Sequence, residues 1–446
     1  MAASPGAEPN ARDTARPPNR RRTGPSRRRA AVNPTFQVPS AGADLISPYA
    51  LLRGAREHGP VIRAALPGAD EFWLVSSYDA VREALTHPDL VKDPEDPEDP
   101  EGPADGEGAS GGEGSLPPLD ELPEATRARL AVPTPDHTAL RASVAQYFTP
   151  ARVGALRERM RADARALLTA AATDGETDLV ASFTFPLPFA GICAVLGVPG
   201  RDRPRLLDLT REMAPGGSDP DRADGAFMEL WHYFRELAYR QRKSGPSGDT
   251  PTLLAGLVDA RHGGHRWSDE ECASVCLMLI IAGHEPTANL LGLGALLLTR
   301  DGSLIEELRT ALDRLPGFVE ELLRYDSPVY PGVFRHVVRD TTLAGVALAA
   351  GESVLVAVGA GNRDPGRFPG PDQFDLGRSD VRHLSFGRGP HFCLGAPLAR
   401  VVAESGFREL VECFPGLRLS DSNRVQWRTE YLRGLLGLPV LLRPLR

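Results

Sequence analysis

A chain of 446 residues suffices for one large domain or two or three small ones. Hydrophobic residues at 41% and charged residues at 25% make an ordinary globular balance and exclude a wholly disordered or fibrous chain. The net charge, 51 minus 59 or −8, counts against nucleic-acid binding. No run reaches the roughly 18–20 uncharged apolar residues of a membrane span, and no apolar signal-peptide core opens the chain. The five cysteines form no C-x-x-C pair and no even framework, so a reducing compartment fits best and a soluble, cytoplasmic protein without membrane contact is expected.

Residues 1–34 carry eight arginines against only Glu8 and Asp13, with little that could enter a core. They read as a disordered, non-specific basic tail. A domain spanning 35–446 follows. Its opening reads as a helix over 44–57, two short strands within 61–76 around Pro67-Gly68, and a helix over 79–86. Residues 93–121 hold eleven acids and no base, beginning with Asp-Pro-Glu three times in register. This is an acidic low-complexity insertion, either bare or a partner for the basic tail or another cation. Helical periodicity then dominates from 136 to 312. Thr149-Pro150 marks a helix start, with one amphipathic helix over 151–172. Gly197-Val198-Pro199-Gly200 is a stop signal. Ser268 and Glu271 form a capping box opening a long helix, and 303–324 is helical again. Strands follow at 333–338, 341–343, 354–358, 417–419 and 440–442. The pattern is mainly α with a small β-rich part, in a single large domain.

Two segments carry chemistry. The first is Ala282-Gly283-His284-Glu285-Pro286-Thr287, a polar cluster within an apolar helix. Burying Glu285 is costly without a purpose. Pro286 lacks an N–H and clashes with the carbonyl of Ala282, so a kinked or widened turn is expected there. Such a turn would make room for a small polar ligand and a proton path. The second is Phe386-Gly387-Arg388-Gly389-Pro390-His391-Phe392-Cys393-Leu394-Gly395. Here a lone cysteine follows a glycine-punctuated loop and precedes a helix. Unpaired N–H groups at the helix start would lower the thiol's pKa, and the glycines allow tight turns and close approach of a flat ligand. A thiolate on such a loop suits a soft or redox metal such as haem iron. A buried structural cysteine is the other reading of these residues alone.

The cysteine segment resembles the haem-binding loop of the cytochrome P450 family, and the glycine–glutamate segment resembles that family's oxygen-binding helix. The resemblance runs from about residue 35 to the C-terminus and implies a cytochrome P450-like fold. It implies Cys393 as the iron ligand, with Phe386, Gly387 and Gly395 around the thiolate. It implies His137, Arg141, Arg335 and His391 as contacts to the propionates of haem b. Glu285 corresponds to the proton-delivering acid, beside Ala282 and Gly283. The family's usual threonine after the acid is Pro286 here and Thr287 comes one residue later. One residue is about 100° of helix rotation, which leaves open whether Thr287 faces the iron. Glu321 and Arg324 match a pair that locks the proximal core. The arginine that usually joins them falls at neutral Gln373, so a weakened or rearranged network is expected. The Asn362-Arg363-Asp364-Pro365 turn also matches.

The function so implied is a haem-thiolate monooxygenase using O2 to hydroxylate or otherwise oxidise a small organic substrate, a specialised metabolite. No flavin or iron–sulfur motif is present, so electrons would come from an external ferredoxin and NAD(P)H reductase. Arg388, Arg400 and Arg408 are candidate contacts for such a partner. The region 93–129, the helices within 204–239, and segments 329–333 and 431–435 would shape the substrate pocket. The alternatives are an oxidative-coupling or peroxide-using haem-thiolate enzyme, or a low-turnover haem-binding sensor.

Overall fold

The computed structural model describes residues 35–37, 49–65, 70–92, 137–172, 175–213, 220–245, 252–262, 265–428 and 432–443. The basic tail and the acidic insertion lie outside these residues. Thr35–Arg446 is one compact unit.

The first elements are β1 (Phe36–Gln37), α1 (Tyr49–Glu57), β2 (Val61–Ala65), β3 (Glu71–Val75), α2 (Tyr78–Ala84) and β4 (Leu90–Val91). Ser77 caps α2, its side chain accepting from the N–H of Ala80. The helical body includes α3 (His137–Ala145), α4 (Pro150–Gly154), α5 (Arg157–Ala171), α6 (Pro186–Leu196), α7 (Pro220–Ser244), α8 (Asp269–Arg300), α9 (Gly302–Thr310) and α10 (Leu315–Tyr325), with further helices at Arg203–Glu212 and Leu253–Asp259. Strands β5 (Val333–Val337) and β6 (Ser353–Val356) return to the first sheet. Helix α11 (Ala396–Cys413) and the hairpin β7 (Gln426–Trp427) and β8 (Leu435–Gly437) follow, and the strand Pro439–Leu441 is the last described element.

The main sheet has the order β1-β2-β3-β6-β5-β4. β3 and β6 pair in parallel, while β6 and β5 pair antiparallel with Val354 opposite Arg335. Two apolar clusters flank this sheet, and a much larger one fills the space between the helices. The architecture is thus mainly α with a smaller β part.

Three expectations change in detail. The amphipathic stretch 151–172 is two helices, α4 and α5, because the chain turns at Ala155 and Leu156. The stretch 303–324 is α9, a short 3-10 turn (Leu312–Arg314) and α10, since Pro316 begins a new helix rather than continuing one. The third change concerns α8.

Helix α8 starts at the expected capping box. Ser268 Oγ accepts from the N–H of Glu271 at 3.1 Å and the Glu271 carboxylate accepts from the N–H of Ser268 at 2.6 Å. By length and composition α8 alone, among the described residues, would suffice to cross a membrane. Most of that stretch is instead buried against α6, α7 and α11. No widened turn appears at Pro286, and α8 stays α-helical throughout. Proline removes one N–H, whose acceptor would be the carbonyl of Ala282 on the exposed side of the helix. Thr287 Oγ1 donates to the carbonyl of Gly283 at 3.3 Å and ties the same turn together. The π-helical turn among the described residues lies elsewhere, at Val180–Thr184, leading into α6.

Candidate active site

The cysteine loop is shaped by its glycines. Gly387 and Gly389 take φ of +70° and +72°, which a side chain resists. A Cβ on Gly389 would also stand 2.8 Å from Thr86 Cγ2. Gly395 differs from expectation. Its φ of −78° is open to any residue, and a Cβ there would sit at an ordinary 3.9 Å from the Cys393 sulfur. The loop closes through the Cys393 N–H, which donates to the Phe386 carbonyl at 2.8 Å. The Gly387 N–H donates to the Leu384 carbonyl at the same distance. His391 ends a short 3-10 turn and is exposed.

Cys393 stands alone among the five thiols. Cys193, Cys272 and Cys276 are buried and Cys413 is half-buried, while Cys393 is exposed. Burial pushes Cys193 and Cys272 up to about 12 and Cys276 well above its ordinary value, so these thiols are inert. At Cys393 the surrounding protein also raises the thiol. The N–H groups of Gly395 and Ala396, then Arg141 and Arg400, pull it back without reversing the direction. The expected lowering by the helix start is therefore present but outweighed by desolvation.

The surroundings of this sulfur fit a flat, apolar, anionic group. Phe392 is 42% exposed beside it. Phe386 is half-buried, with the Arg400 guanidinium 4.5 Å above its ring. Arg141 on α3 reaches the loop, Nη2 donating to the Phe392 carbonyl at 2.5 Å. His137 opens α3 one turn earlier, and its side chain lies outside the described residues. Arg335 is buried on β5 and donates to the Phe334 carbonyl at 2.8 Å. The sulfur offers a soft donor, and Arg141 and Arg335 offer cations, which suit the haem that the resemblance implies.

Behind the loop lies a buried ionic lock. Arg324 donates twice to Glu321, each bond 2.7 Å long, and both side chains are sealed from solvent. Its Nη1 also donates to the carbonyls of Asn362 and Pro371, and Nη2 to that of Gln373. The network is rearranged rather than lost. Arg378 supplies the second cation, 3.2 Å from Glu321 Oε1, and the Asp375 N–H donates to the same oxygen at 3.0 Å. Position 373 contributes only its backbone carbonyl. The lock reaches the cysteine loop through Asn362, whose Oδ1 accepts from the Leu384 N–H and whose Nδ2 donates to Ser385 Oγ.

On α8, Ala282 is exposed and Gly283 half-buried, whereas Thr287 is buried with its hydroxyl bonded within its own helix. Thr287 thus turns away from the face that Ala282 and Pro286 share. Replacing Thr287 by alanine should leave turnover and coupling within about threefold and lower stability by about 1 kcal/mol. Product formed per NAD(P)H together with a denaturant titration checks this, and collapsed coupling would return Thr287 to proton delivery. Glu285 is half-buried and forms an ion pair with Arg428, Nη2 to Oε1 2.5 Å. Nothing in the local sequence marks Arg428, which lies far downstream.

His284 sits beside Glu285 but faces the core. Its Nε2 pairs with the Phe185 carbonyl at 2.8 Å, and its ring packs against Phe185 and Phe189. Burial pushes its pKa from 6.5 down to about 4. Between these values the unfolded chain binds the proton and the folded protein does not. The stability this site preserves is complete above about pH 6.5 and is lost as pH falls toward 4, on the order of 3 kcal/mol. Urea midpoints measured across that window should slope less steeply in His284→Leu than in the parent.

The candidate redox-partner arginines separate. Arg400 pairs with Glu320 at 2.6 Å and Arg408 with Glu412 at 3.2 Å. Arg388 is exposed, with no ion pair to a described residue.

Residues 216–415 match the family model described as Cytochrome P450. The chain is 36% identical over 417 residues to cytochrome P450 monooxygenase PikC of Streptomyces venezuelae, covering 92% of this chain and 95% of that protein. The chain belongs to the cytochrome P450 family. This P450 is also 34% identical over 402 residues to the polyketide biosynthesis cytochrome P450 PksS of Bacillus subtilis strain 168, covering 89% and 96% of the two. Its fold is similar to that of the ligand-free P450 monooxygenase TamI, with a TM-score of 0.76 at 33% identity, over 91% of this chain and 93% of that one. The protein is therefore a P450 monooxygenase, a haem-thiolate oxidoreductase supplied with electrons from outside its own chain.

Proposed function

We propose that this P450 binds haem b through the Cys393 thiolate, takes electrons from a ferredoxin and its NAD(P)H reductase, and oxidises a polyketide-type specialised metabolite. The observation that carries the reading is the exposed thiol just before α11, in a chain whose other thiols are buried or half-buried. When bound, the haem supplies O2 activation, and thiolate ligation favours O–O cleavage.

The chain's own residues position and protect. His137, Arg141, Arg335 and His391 would hold the propionates. Phe386, fixed beneath Arg400, would shield the sulfur from water. Gly387 gives the loop its turn, and Gly395 leaves the space beside the sulfur clear. Glu321 and Arg324 would keep the loop's mount rigid. Glu285 would hold a proton near Ala282 and Gly283. Apolar side chains exposed at Met278 on α8 and Leu436 on β8 offer contact to an apolar substrate. The substrate class is supported by PksS, whose name places it in polyketide biosynthesis. Free thiols and a reliance on NAD(P)H suit the cytoplasm.

The test is a panel of polyketides scored for a low- to high-spin shift, followed by NADPH consumption with a surrogate ferredoxin pair. At least one member should give both responses. Hits confined to fatty acids or terpenes would overturn the substrate class. One feature favours a second reading: half-buried Pro286 takes the position after Glu285, and the hydroxyl of Thr287 is turned inward. A peroxide-using enzyme would form product with hydrogen peroxide but show no substrate-dependent NADPH consumption, whereas an oxidative-coupling enzyme would consume NADPH and release a product that has lost two hydrogens and gained no oxygen.

A further inference from the structure

Glu285 sits on α8, and its ion-pair partner comes from the other end of the chain. Arg428 directly follows β7, and its side chain is 6% exposed against 21% for Glu285. We infer that Arg428 is a positioning residue for Glu285, so that the β7–β8 hairpin takes part in proton delivery. The inference rests on the proton-holding role proposed above for Glu285.

Arg428 is held on a rigid base. Its N–H donates to the Gly434 carbonyl at 3.1 Å, joining the two ends of the hairpin connection. Gly434 lies against Asn289, one helical turn beyond Glu285. A Cβ at position 434 would come within 2.0 Å of Asn289 Oδ1, so the hairpin touches α8 where only glycine fits. On the other side the Arg433 N–H donates to the Pro328 carbonyl at 3.0 Å. The Arg433 guanidinium pairs with Asp326 and lies 4.6 Å from the centre of the Trp427 ring. Arg428 thus stands between Trp427 and Gly434, both fixed by contacts of their own. Its buried Nε and the Glu285 Oε1 that faces its Nη2 have no hydrogen-bond partner among the described residues, so the two side chains meet as an ion pair in a half-buried site.

The chemistry follows from the two groups. A guanidinium stays protonated throughout and accepts no hydrogen bond, so it cannot relay a proton itself. It can hold a half-buried carboxylate ionised and in one orientation between turnovers. Without that counter-charge the ionised form loses part of its stabilisation and the carboxylate one hold on its direction. Each proton reaching Glu285 would loosen the pair, and each proton leaving would restore it. Arg428 therefore sets both the resting charge of the acid and the direction from which it delivers.

The experiment compares holoenzyme carrying Arg428→Lys, Arg428→Met, Glu285→Gln, and Arg428→Met with Glu285→Gln. Infrared spectroscopy reads the carboxyl stretch. NADPH-driven O2 consumption with a surrogate ferredoxin–reductase pair, in H2O and in D2O, reads proton delivery without a substrate. A protonated-carboxyl band should appear in Arg428→Met, be absent from the parent and from Arg428→Lys, and vanish in the double variant. O2 consumption should fall about tenfold in Arg428→Met with a larger solvent isotope effect, and Arg428→Lys should recover it to within about threefold. The double variant should be no slower than Glu285→Gln alone, because the two residues act in one path. It also removes both charges together, so its folding does not depend on an orphaned one. If Glu285→Gln slows O2 consumption while Arg428→Met changes neither the band, the rate nor the isotope effect, Arg428 has no such part. If Glu285→Gln itself leaves rate and isotope effect unchanged, the proton-holding role of Glu285 fails, and the positioning role falls with it.

Discussion

Replacing Cys393 by alanine is expected to abolish substrate oxidation while leaving the fold nearly intact. The side chain is exposed, so its loss removes little packing, and stability should change by no more than about 0.5 kcal/mol. The loop should also keep its form, because the closing bond runs from the backbone N–H of residue 393 to the Phe386 carbonyl. What disappears is the soft ligand. The reduced, carbon-monoxide-treated protein should lose its thiolate spectral signature, and product should fall to background. Cys413→Ala, which alters a half-buried thiol at the far end of α11, is the control and should keep both. A Cys393→Ala protein whose Soret band matched the parent's would show that the iron is held elsewhere.

The second large effect is expected at Arg324. Its five hydrogen bonds join α10 to the carbonyls of Asn362, Pro371 and Gln373 as well as to Glu321. Arg324→Ala leaves the Glu321 carboxylate buried with Arg378 as its remaining cation and strips three carbonyls of a donor. Breaking a buried pair in this way costs about 3–5 kcal/mol. Lysine keeps the charge but not the planar fork, so Arg324→Lys should recover only part of the loss. Arg378→Ala removes one contact to Glu321 and exposed bonds to the carbonyls of Pro369, Gly370 and Gln373, where water can replace the donor, and should cost less, about 1–3 kcal/mol. Urea unfolding ranks the three variants, and haem content measured alongside should fall in the same order, because Asn362 couples this lock to the cysteine loop. Equal stability for Arg324→Ala and Arg378→Ala would mean that the lock is not centred on Arg324.

Local chemistry was readable in the sequence where cause and effect lie within a few residues. The capping box at Ser268 and Glu271, the stop at Gly197, the β5 strand and the glycine loop before Cys393 all belong to this class. Thr287 was readable only in part, since one residue of offset along a helix left two orientations open and burial chose between them. Contacts that close over long stretches of chain were not readable. The second cation on Glu321 is Arg378, five residues past the position where the pattern places it, because the intervening turn brings a backbone carbonyl to Arg324 and a side chain to Glu321. Arg428 meets Glu285 across more than a hundred residues and carries no local signature. The absence of a widened turn at Pro286 also depends on tertiary surroundings. The carbonyl that the proline leaves without its helical donor lies on an exposed side of α8, where its cost is smaller than within the core.

Asn362 gives the cysteine loop a dependence on the integrity of one amide. Its Nδ2 donates to Ser385 Oγ at 2.8 Å, and that hydroxyl has already committed its proton to the Leu323 carbonyl at 2.6 Å. The relay therefore runs one way. Hydrolysis of the amide to aspartate changes the shape hardly at all, yet it sets a carboxylate oxygen against a hydroxyl with no proton left to offer. A preparation ageing by deamidation at this site would lose its pigment before its helices, and bleaching would run ahead of any change in far-ultraviolet circular dichroism.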